Sequence, residues 1–309
     1  MDASNAAPVS EMARPDLVLT RVFTAPRALV FQAWTDPAHV RQWWGPNGFS
    51  VPRCDWVAQA GGAIHLDMRG PDGVTFPMIG HFETIEPPSL LVFRSSALNP
   101  RGEALFDVEN TVTFMELEGQ TILTVSVRVV HATAAAAPHL QGAPIGWAQT
   151  LERLRGHLGE IPDEPRANRA IVAERVLAAP RDRVWRMWTD PSEVACWWGP
   201  DGFTTTVESM DVRVGGLWRL TMHGPDGRDY PNLTVYTEVT APSRLVYHHV
   251  SHPPFEHVVT FTDEGPATRV RVEMVFPSKA LRDRVVGEVP AERGLDQTLD
   301  KLARHLSGR

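Results

Sequence analysis

Residues 35–49 read TDPAHVRQWWGPNGF, and residues 189–203 read TDPSEVACWWGPDGF. In each stretch an Asp-Pro pair ends one short helix, and a Gly-Pro pair ends the next, which carries two adjacent tryptophans. The two stretches lie 154 residues apart (197 − 43, from the first tryptophan of each pair). Because this distance is close to the commonest size of a domain, the repeat predicts two copies of one fold.

The same offset relates further turn and helix-start signals. They are Ala25-Pro26 with Ala179-Pro180, Gly61-Gly62 with Gly215-Gly216, Gly-Pro-Asp-Gly at 70–73 with 224–227, and Pro88-Ser89 with Pro242-Ser243. Each unit is long enough to bury its own core, so a solenoid is excluded. The expected organisation is a disordered tail at 1–16, a first domain at 17–158, a linker with two prolines at 159–168, and a second domain at 169–309.

Composition narrows the class of protein. The 309 residues are 43% hydrophobic and 22% charged, which is typical of a soluble globular protein. A formal net charge of −7 argues against nucleic acid as the partner, since phosphate binding needs clustered Lys and Arg. No apolar stretch approaches the roughly 20 residues of a membrane helix. We expect a cytoplasmic protein without membrane contact, metal or cofactor; its oligomeric state stays open.

The pattern of elements predicts an α+β fold. Each copy reads as a strand, two short helices, six further strands and a long C-terminal helix. The final helix of the first copy is expected at 134–158. Its apolar stripe is Trp147, Leu151, Leu154 and Leu158, and that of the second copy is Leu295, Leu299, Leu302 and Leu306.

These motifs together resemble a known family, the activator-of-Hsp90-ATPase-homologue-like proteins of the START/SRPBCC superfamily. The resemblance rests on Trp-Trp-Gly-Pro-x-Gly-Phe, Gly-Gly, Gly-Pro-Asp-Gly and Pro-Ser-x-Leu-Val, and on the late Gly-Trp-x3-Leu-x2-Leu, which the second copy changes to Gly294-Leu295. It implies two tandem helix-grip domains, in each of which a curved antiparallel sheet wraps around the C-terminal helix and leaves an apolar cavity. Relatives bind hydrophobic molecules, act on polyketides or contact Hsp90, and the family brings no universal catalytic residues.

A comparison of the two copies suggests an acid/base pair. Leu233, Val235 and Val239 alternate in the second copy and are expected to face inward. The matching strand of the first copy carries His81 and Glu83. A carboxylate and an imidazole on one concave surface are suited to acid/base catalysis. The alternative is that this strand has the opposite parity, or that the pair lies at a solvated rim.

Aromatic side chains are the candidate ligand contacts. Adjacent tryptophans on a helix point about 100° apart, so one ring of each pair can belong to the core while the other forms a wall for a flat ligand. Simple packing of the short helices is the alternative. The candidate ligand-binding residues are Trp43, Trp44, Phe93, Trp147, Trp197, Trp198, Trp218, Tyr247 and His249.

Three functions remain open at this point. The first is binding, sequestration or presentation of a hydrophobic, aromatic or polyketide-like small molecule. The second is a polyketide-cyclase-, dehydratase- or hydrolase-like enzyme with His81 and Glu83 as its base and acid. The third is a co-chaperone module that contacts Hsp90.

Overall fold

The computed structural model describes residues 16–160, 162, 164–288 and 291–308. The predicted disordered tail at 1–16 lies outside this range except for Asp16. Within it, two antiparallel sheets of seven strands follow one another along the chain, each accompanied by helices. The α+β prediction with two tandem helix-grip domains is therefore confirmed.

The first sheet has the strand order β1-β7-β6-β5-β4-β3-β2. Two short helices connect β1 to β2, and a long helix follows β7. The elements are β1 (Leu17–Phe23), α1 (Arg27–Thr35), α2 (Pro37–Trp43), β2 (Ser50–Trp56), β3 (Ala63–Arg69), β4 (Thr75–Glu86), β5 (Leu90–Leu98), β6 (Ala104–Leu117), β7 (Gln120–Ala132) and α3 (Ala137–His157).

The second sheet repeats this topology in the order β8-β14-β13-β12-β11-β10-β9. Its C-terminal region has a helix on either side of residues 289–290, which lie outside the described ranges. The elements are β8 (Ala170–Leu177), α4 (Arg181–Thr189), α5 (Pro191–Trp197), β9 (Thr204–Met210), β10 (Leu217–His223), β11 (Asp229–Thr240), β12 (Arg244–His249), β13 (Phe255–Glu264), β14 (Ala267–Val275), α6 (Lys279–Glu288) and α7 (Ala291–Leu306). No helix in the described ranges is long and apolar enough to cross a membrane.

The Asp-Pro pairs form the corner between the short helices. The side chain of Asp36 accepts a hydrogen bond of 2.8 Å from the backbone N–H of Ala38, and Asp190 accepts one of 2.9 Å from Ser192. Each aspartate thus satisfies a free N–H in the first turn of the second short helix, while the proline fills a position that needs no donor.

One tryptophan of each pair fixes the packing of this corner. The indole N–H of Trp43 donates to the Ala33 carbonyl at 2.9 Å, and that of Trp197 donates to Met187 at 3.0 Å. Both rings are fully buried. Trp43 and Trp197 are therefore core residues that tie α2 to α1 and α5 to α4.

The C-terminal half of α3 packs on the concave face of the first sheet. Leu151 and Leu154 are fully buried and share a core with Val112, Phe114 and Leu123 of β6 and β7. The N-terminal half is different, with Ile145 at 66% exposure. The helix is thus anchored at one end, and the other end covers the sheet without filling the space beneath it.

The two domains meet at a small apolar cluster. Its buried members are Val22 and Ile122 of the first domain and Leu233, Val235 and Val250 of the second. Gln120 adds a buried hydrogen bond of 2.8 Å from its amide to the carbonyl of Val250. The cluster is called the junction below.

Candidate ligand-binding cavity

The first domain contains a cavity of about 560 Å³ between its concave sheet face and the N-terminal half of α3. This space is called the α3 cavity. Trp44, Phe93 and Trp147 contribute aromatic rings to its lining. The ring centroids of Trp44 lie 5.6 Å from Trp147 and 6.4 Å from Phe93. Three of the residues that the sequence nominated for ligand contact are thus brought together on one wall.

Arg153 of α3 holds the segment that carries Trp44. Its Nη1 atom lies 3.1 Å from the carbonyl oxygen of Trp44, 2.9 Å from that of Gly45 and 3.0 Å from that of Pro46. Gly45 has a φ of +93°, which a side chain would disfavour. Gly45 permits this turn and Arg153 binds its carbonyl groups, so together they fix this part of the cavity wall.

Besides Thr150, whose hydroxyl donates to the Gly146 carbonyl within α3, two neutral polar residues line the α3 cavity: Ser95 of β5 and Asn110 of β6. They are 5% and 2% exposed, and the Asn110 amide donates to the Ser95 hydroxyl at 3.2 Å. Sequence reasoning missed both of them. The only titratable side chains among the described lining residues are Asp16 and His139, and both are exposed.

The equivalent positions of the second domain follow from strand register. Leu90 pairs with Thr113 and Arg244 pairs with Thr260, so the offset between copies falls from 154 (244 − 90) to 147 (260 − 113) after β5. Four cavity-lining positions are matched by larger side chains in the second domain. The pairs are Ser95 with His249, Val108 with Phe255, Asn110 with His257, and Val129 with Phe276.

These larger side chains pack against one another. The rings of His249 and Phe255 stack at 4.5 Å, Phe255 lies 5.6 Å from Phe276, and His257 lies 5.0 Å from both Phe255 and Tyr247. The long helix shows the opposite change, since Trp147 is matched by the smaller Leu295. The interior of the second sheet is consequently lined by side chains that contact each other where the first sheet borders open space.

The remaining nominated residues belong to this packing. Trp218 and Tyr247 are 2% and 1% exposed, and Trp198 lies 4.8 Å from Trp218. His249 is 9% exposed, and its two ring nitrogens lie 3.0 Å from the Pro253 carbonyl and 2.6 Å from the side-chain oxygen of Asn232. These side chains are in contact with each other, and a ligand role for them stays a prediction.

The expectation that His81 and Glu83 face the concave side is wrong. Both are exposed, and Glu83 forms an ion pair of 2.8 Å with Arg94. The register between β4 and β5 shifts between Phe82 and Thr84, and β11 has the same irregularity between Tyr236 and Glu238. Such a bulge breaks the alternation of faces along a strand, so parity cannot be carried across it.

The residues of the second domain that were expected to share one inward face lie on two different faces. Leu233 and Val235 lie in the junction, whereas Val239, beyond the bulge, packs against the core of the second domain. The inward-facing residue of this strand is Tyr236, which is fully buried, and its counterpart Phe82 is fully buried in the first domain.

Burial favours the uncharged form of His257 in the second domain. Burial lowers the pKa of His257 to about 3, with a further contribution from the nearby His249. Across the described part of the chain, no group of three or more His, Cys, Asp or Glu side chains is arranged to hold a metal ion.

A seven-stranded antiparallel sheet around a C-terminal helix, with a cavity beneath that helix, defines a helix-grip or START-like domain. The chain matches the family model of the activator of Hsp90 ATPase homolog 1-like proteins twice, over residues 24–159 and 178–307. It belongs to this family, with one member domain in each half.

Solved structures of similar proteins each match about half of the chain. A protein from Arthrobacter aurescens is 24% identical with a TM-score of 0.44, covering 48% of this chain and 91% of that one. One from Nitrosomonas europaea is 22% identical with a TM-score of 0.43, covering 48% and 99%. One from Mycobacterium smegmatis is 24% identical with a TM-score of 0.42, covering 46% and 93%. No curated protein matches the chain.

Proposed function

We propose that this is a cytoplasmic binding protein whose first domain takes up a hydrophobic, aromatic or polyketide-like small molecule in the α3 cavity. The observation that carries the proposal is the cavity itself. Its volume of about 560 Å³ lies within the range of small-molecule sites, roughly 300 to 1,000 Å³. Its wall of Trp44, Phe93 and Trp147 suits a flat apolar ligand, because aromatic rings pack in offset or edge-to-face arrangements.

The position of the cavity beneath a half-anchored helix supports uptake. Leu151 and Leu154 hold the C-terminal half of α3 in the core, whereas the preceding turns border the cavity on one side and solvent on the other. Pro144 lies inside this helix and removes one backbone donor. A small movement of the N-terminal half would admit a ligand without unfolding the core.

Ligand titration tests the proposal directly. Calorimetry measures the binding of aromatic probes of increasing size, with naphthalene as the smallest, to the full-length protein. Native mass spectrometry of freshly purified protein identifies any molecule already bound. Saturable binding with one site per chain supports the proposal. Failure of every probe to bind, together with an empty protein in the mass spectrum, contradicts it.

Catalysis by His81 and Glu83 has no support from the geometry, since both side chains lie on the outer face. The family description names the Hsp90 ATPase, which makes a co-chaperone role the second candidate. The two roles separate experimentally. A substitution that fills the α3 cavity removes ligand binding but leaves an external protein contact intact, so stimulation of an Hsp90 ATPase by both wild-type and filled protein favours the co-chaperone role.

A further inference from the structure

The polar pair in the α3 cavity has unused hydrogen-bonding capacity. The 3.2 Å contact joins the Asn110 amide to the Ser95 hydroxyl, and no other described residue bonds to either side-chain polar group. A serine hydroxyl offers one donor and two acceptor sites, and an asparagine amide offers two donors and an acceptor. Whichever end of the amide faces Ser95, at least one donor and one acceptor are left for a third group.

The counterpart of Ser95 in the second domain, His249, is used differently. Both ring nitrogens of His249 lie within hydrogen-bond distance of protein oxygens, and its ring stacks on Phe255. Unsatisfied polar groups in an apolar interior are destabilising, so they are normally paired. The second domain pairs the His249 side chain internally, whereas Ser95 and Asn110 of the first domain border the α3 cavity.

The charges of the lining residues further restrict the class of ligand that the cavity can bind. No Lys or Arg is among its described lining residues, and its two titratable side chains, Asp16 and His139, are exposed. A carboxylate or phosphate carried into this interior would find no opposite charge, and burying an unpaired charge is strongly unfavourable.

We infer that the α3 cavity selects an uncharged molecule with a large apolar body and one hydroxyl or carbonyl group, which Ser95 and Asn110 bind. The inference rests on the proposed function and names its ligand class. Trp44, Phe93 and Trp147 contact the apolar body, and the polar pair fixes its orientation. A phenol or a hydroxylated polycyclic ketone satisfies this description; a fatty acid anion does not.

Three matched probes test this inference: naphthalene, 2-naphthol and 2-naphthoate. They share one apolar body and differ in carrying no polar group, a neutral hydroxyl or a charge. Calorimetry at pH 7 is run with the protein as titrant, since naphthalene is poorly soluble. One to two hydrogen bonds correspond to about tenfold in affinity, so 2-naphthol is expected to bind about tenfold more tightly than naphthalene. The carboxylate is expected to bind most weakly.

Substitutions assign this preference to the polar pair. Asn110→Leu keeps the size of the side chain and Ser95→Ala removes one hydroxyl, and both are expected to bring the affinity ratio of 2-naphthol to naphthalene close to one. Naphthalene affinity should persist in both, which also reports that each variant is folded. Ser96→Ala is the control, because the Ser96 hydroxyl bonds to Asp107 rather than lining the cavity.

The outcomes separate the inference from the proposed function. An unchanged affinity ratio in both variants, or tightest binding of 2-naphthoate, overturns the inference while the apolar binding function stands. If none of the three probes binds the wild-type protein, the proposed function fails and the inference fails with it.

Discussion

The Nδ1 atom of His39 lies 2.8 Å from the Nε2 atom of His157, where α2 meets the C-terminal end of α3. The second domain places Glu193 and His305 at the equivalent contact, with 2.8 Å between Oε2 and Nε2. Burial and the neighbouring His39 lower the pKa of His157 from its ordinary value. One copy of the fold thus uses a pair of bases where the other uses an acid and a base.

His39→Glu is expected to make the first domain less sensitive to acid. In the wild type, the lowered pKa means that stability is lost as the pH falls below about 6.5, because the unfolded chain binds the proton more readily. A glutamate favours the protonated imidazole instead and raises the pKa of His157. The variant is therefore stabilised below that pH, and this stabilisation is lost as the pH rises through the raised pKa. For a half-exposed pair we expect about 0.5 kcal/mol at pH 5.5 and no difference at pH 8.

Urea unfolding at the two pH values measures this difference. Glu193→His in the second domain is the reciprocal change and should increase acid sensitivity there. Equal stability of His39→Glu and wild type at pH 5.5 would contradict the assigned role of the pair.

Val129→Phe is expected to block the α3 cavity, because it introduces the side chain that the second domain carries as Phe276. Binding of naphthalene should weaken by about tenfold or more. Val130→Phe adds the same volume at the next residue of β7, where the side chain is 48% exposed, and should leave binding unchanged. Calorimetric titration of both variants distinguishes a filled cavity from a general effect on β7. Wild-type affinity in Val129→Phe would place the ligand elsewhere.

His257→Asn, which introduces the residue of the first domain, is expected to flatten the pH dependence of the second domain. A folded-state pKa of about 3 means that the folded protein excludes a proton that the unfolded chain accepts below about 6.5. Stability is therefore unaffected above that pH and falls on acidification, by about 2 kcal/mol between pH 7 and pH 5.

Hydrogen exchange of the β12 and β13 amides measures the stability of the second domain alone. His252→Asn is the control, since His252 is exposed. Its removal should leave the dependence of stability on pH unchanged. If the stability of His257→Asn fell with pH as steeply as that of the wild type, groups other than His257 would be responsible for the acid sensitivity.

Leu233→Asp is expected to separate the domains. The side chain is 7% exposed within the junction, and burying a carboxylate there is unfavourable by several kcal/mol. The matched control is Ile79→Asp at the equivalent position of the first domain, which is 40% exposed. Small-angle scattering should show a larger radius of gyration for Leu233→Asp only. Identical scattering of both variants would argue against a stable junction.

Arg153→Ala is expected to destabilise the first domain by about 2 kcal/mol, because it leaves the carbonyls of Trp44, Gly45 and Pro46 without their charged donor. Arg153→Lys should cost less, since the second domain uses Lys301 at the equivalent position to bind the Phe203 carbonyl. Chemical denaturation measures both. A lysine variant as unstable as the alanine variant would show that the forked geometry of arginine is required.

Much of the architecture follows from local signals. The Asp-Pro and Gly-Pro pairs, the turn residues and the apolar stripes act through neighbouring residues, so α1, α2, the strands and α3 are predictable from the chain. The 154-residue offset then gives two domains. In the second copy the predicted stripe of Leu295, Leu299, Leu302 and Leu306 lies on the buried face of α7.

The cavity was harder to predict. Trp44, Phe93 and Trp147 were nominated from their residue types, yet Ser95 and Asn110 were missed. A signal existed, since their counterparts are His249 and His257. However, β12 and β13 are shorter than β5 and β6, which shifts the offset and hides the second match. His81 and Glu83 were misplaced because Leu233 and Val235 are apolar where they meet the first domain at the junction, not on the concave face, and the bulge before Val239 hides the change of face.

The junction has a consequence for the behaviour of the chain in solution. β1 is the last strand of its sheet, and its unpaired backbone side would be a template for another chain. In this protein β1 runs close to β11 of the following domain, and Val22 is buried there. Any chain that pairs with the free side of β1 therefore has to approach beside the second domain.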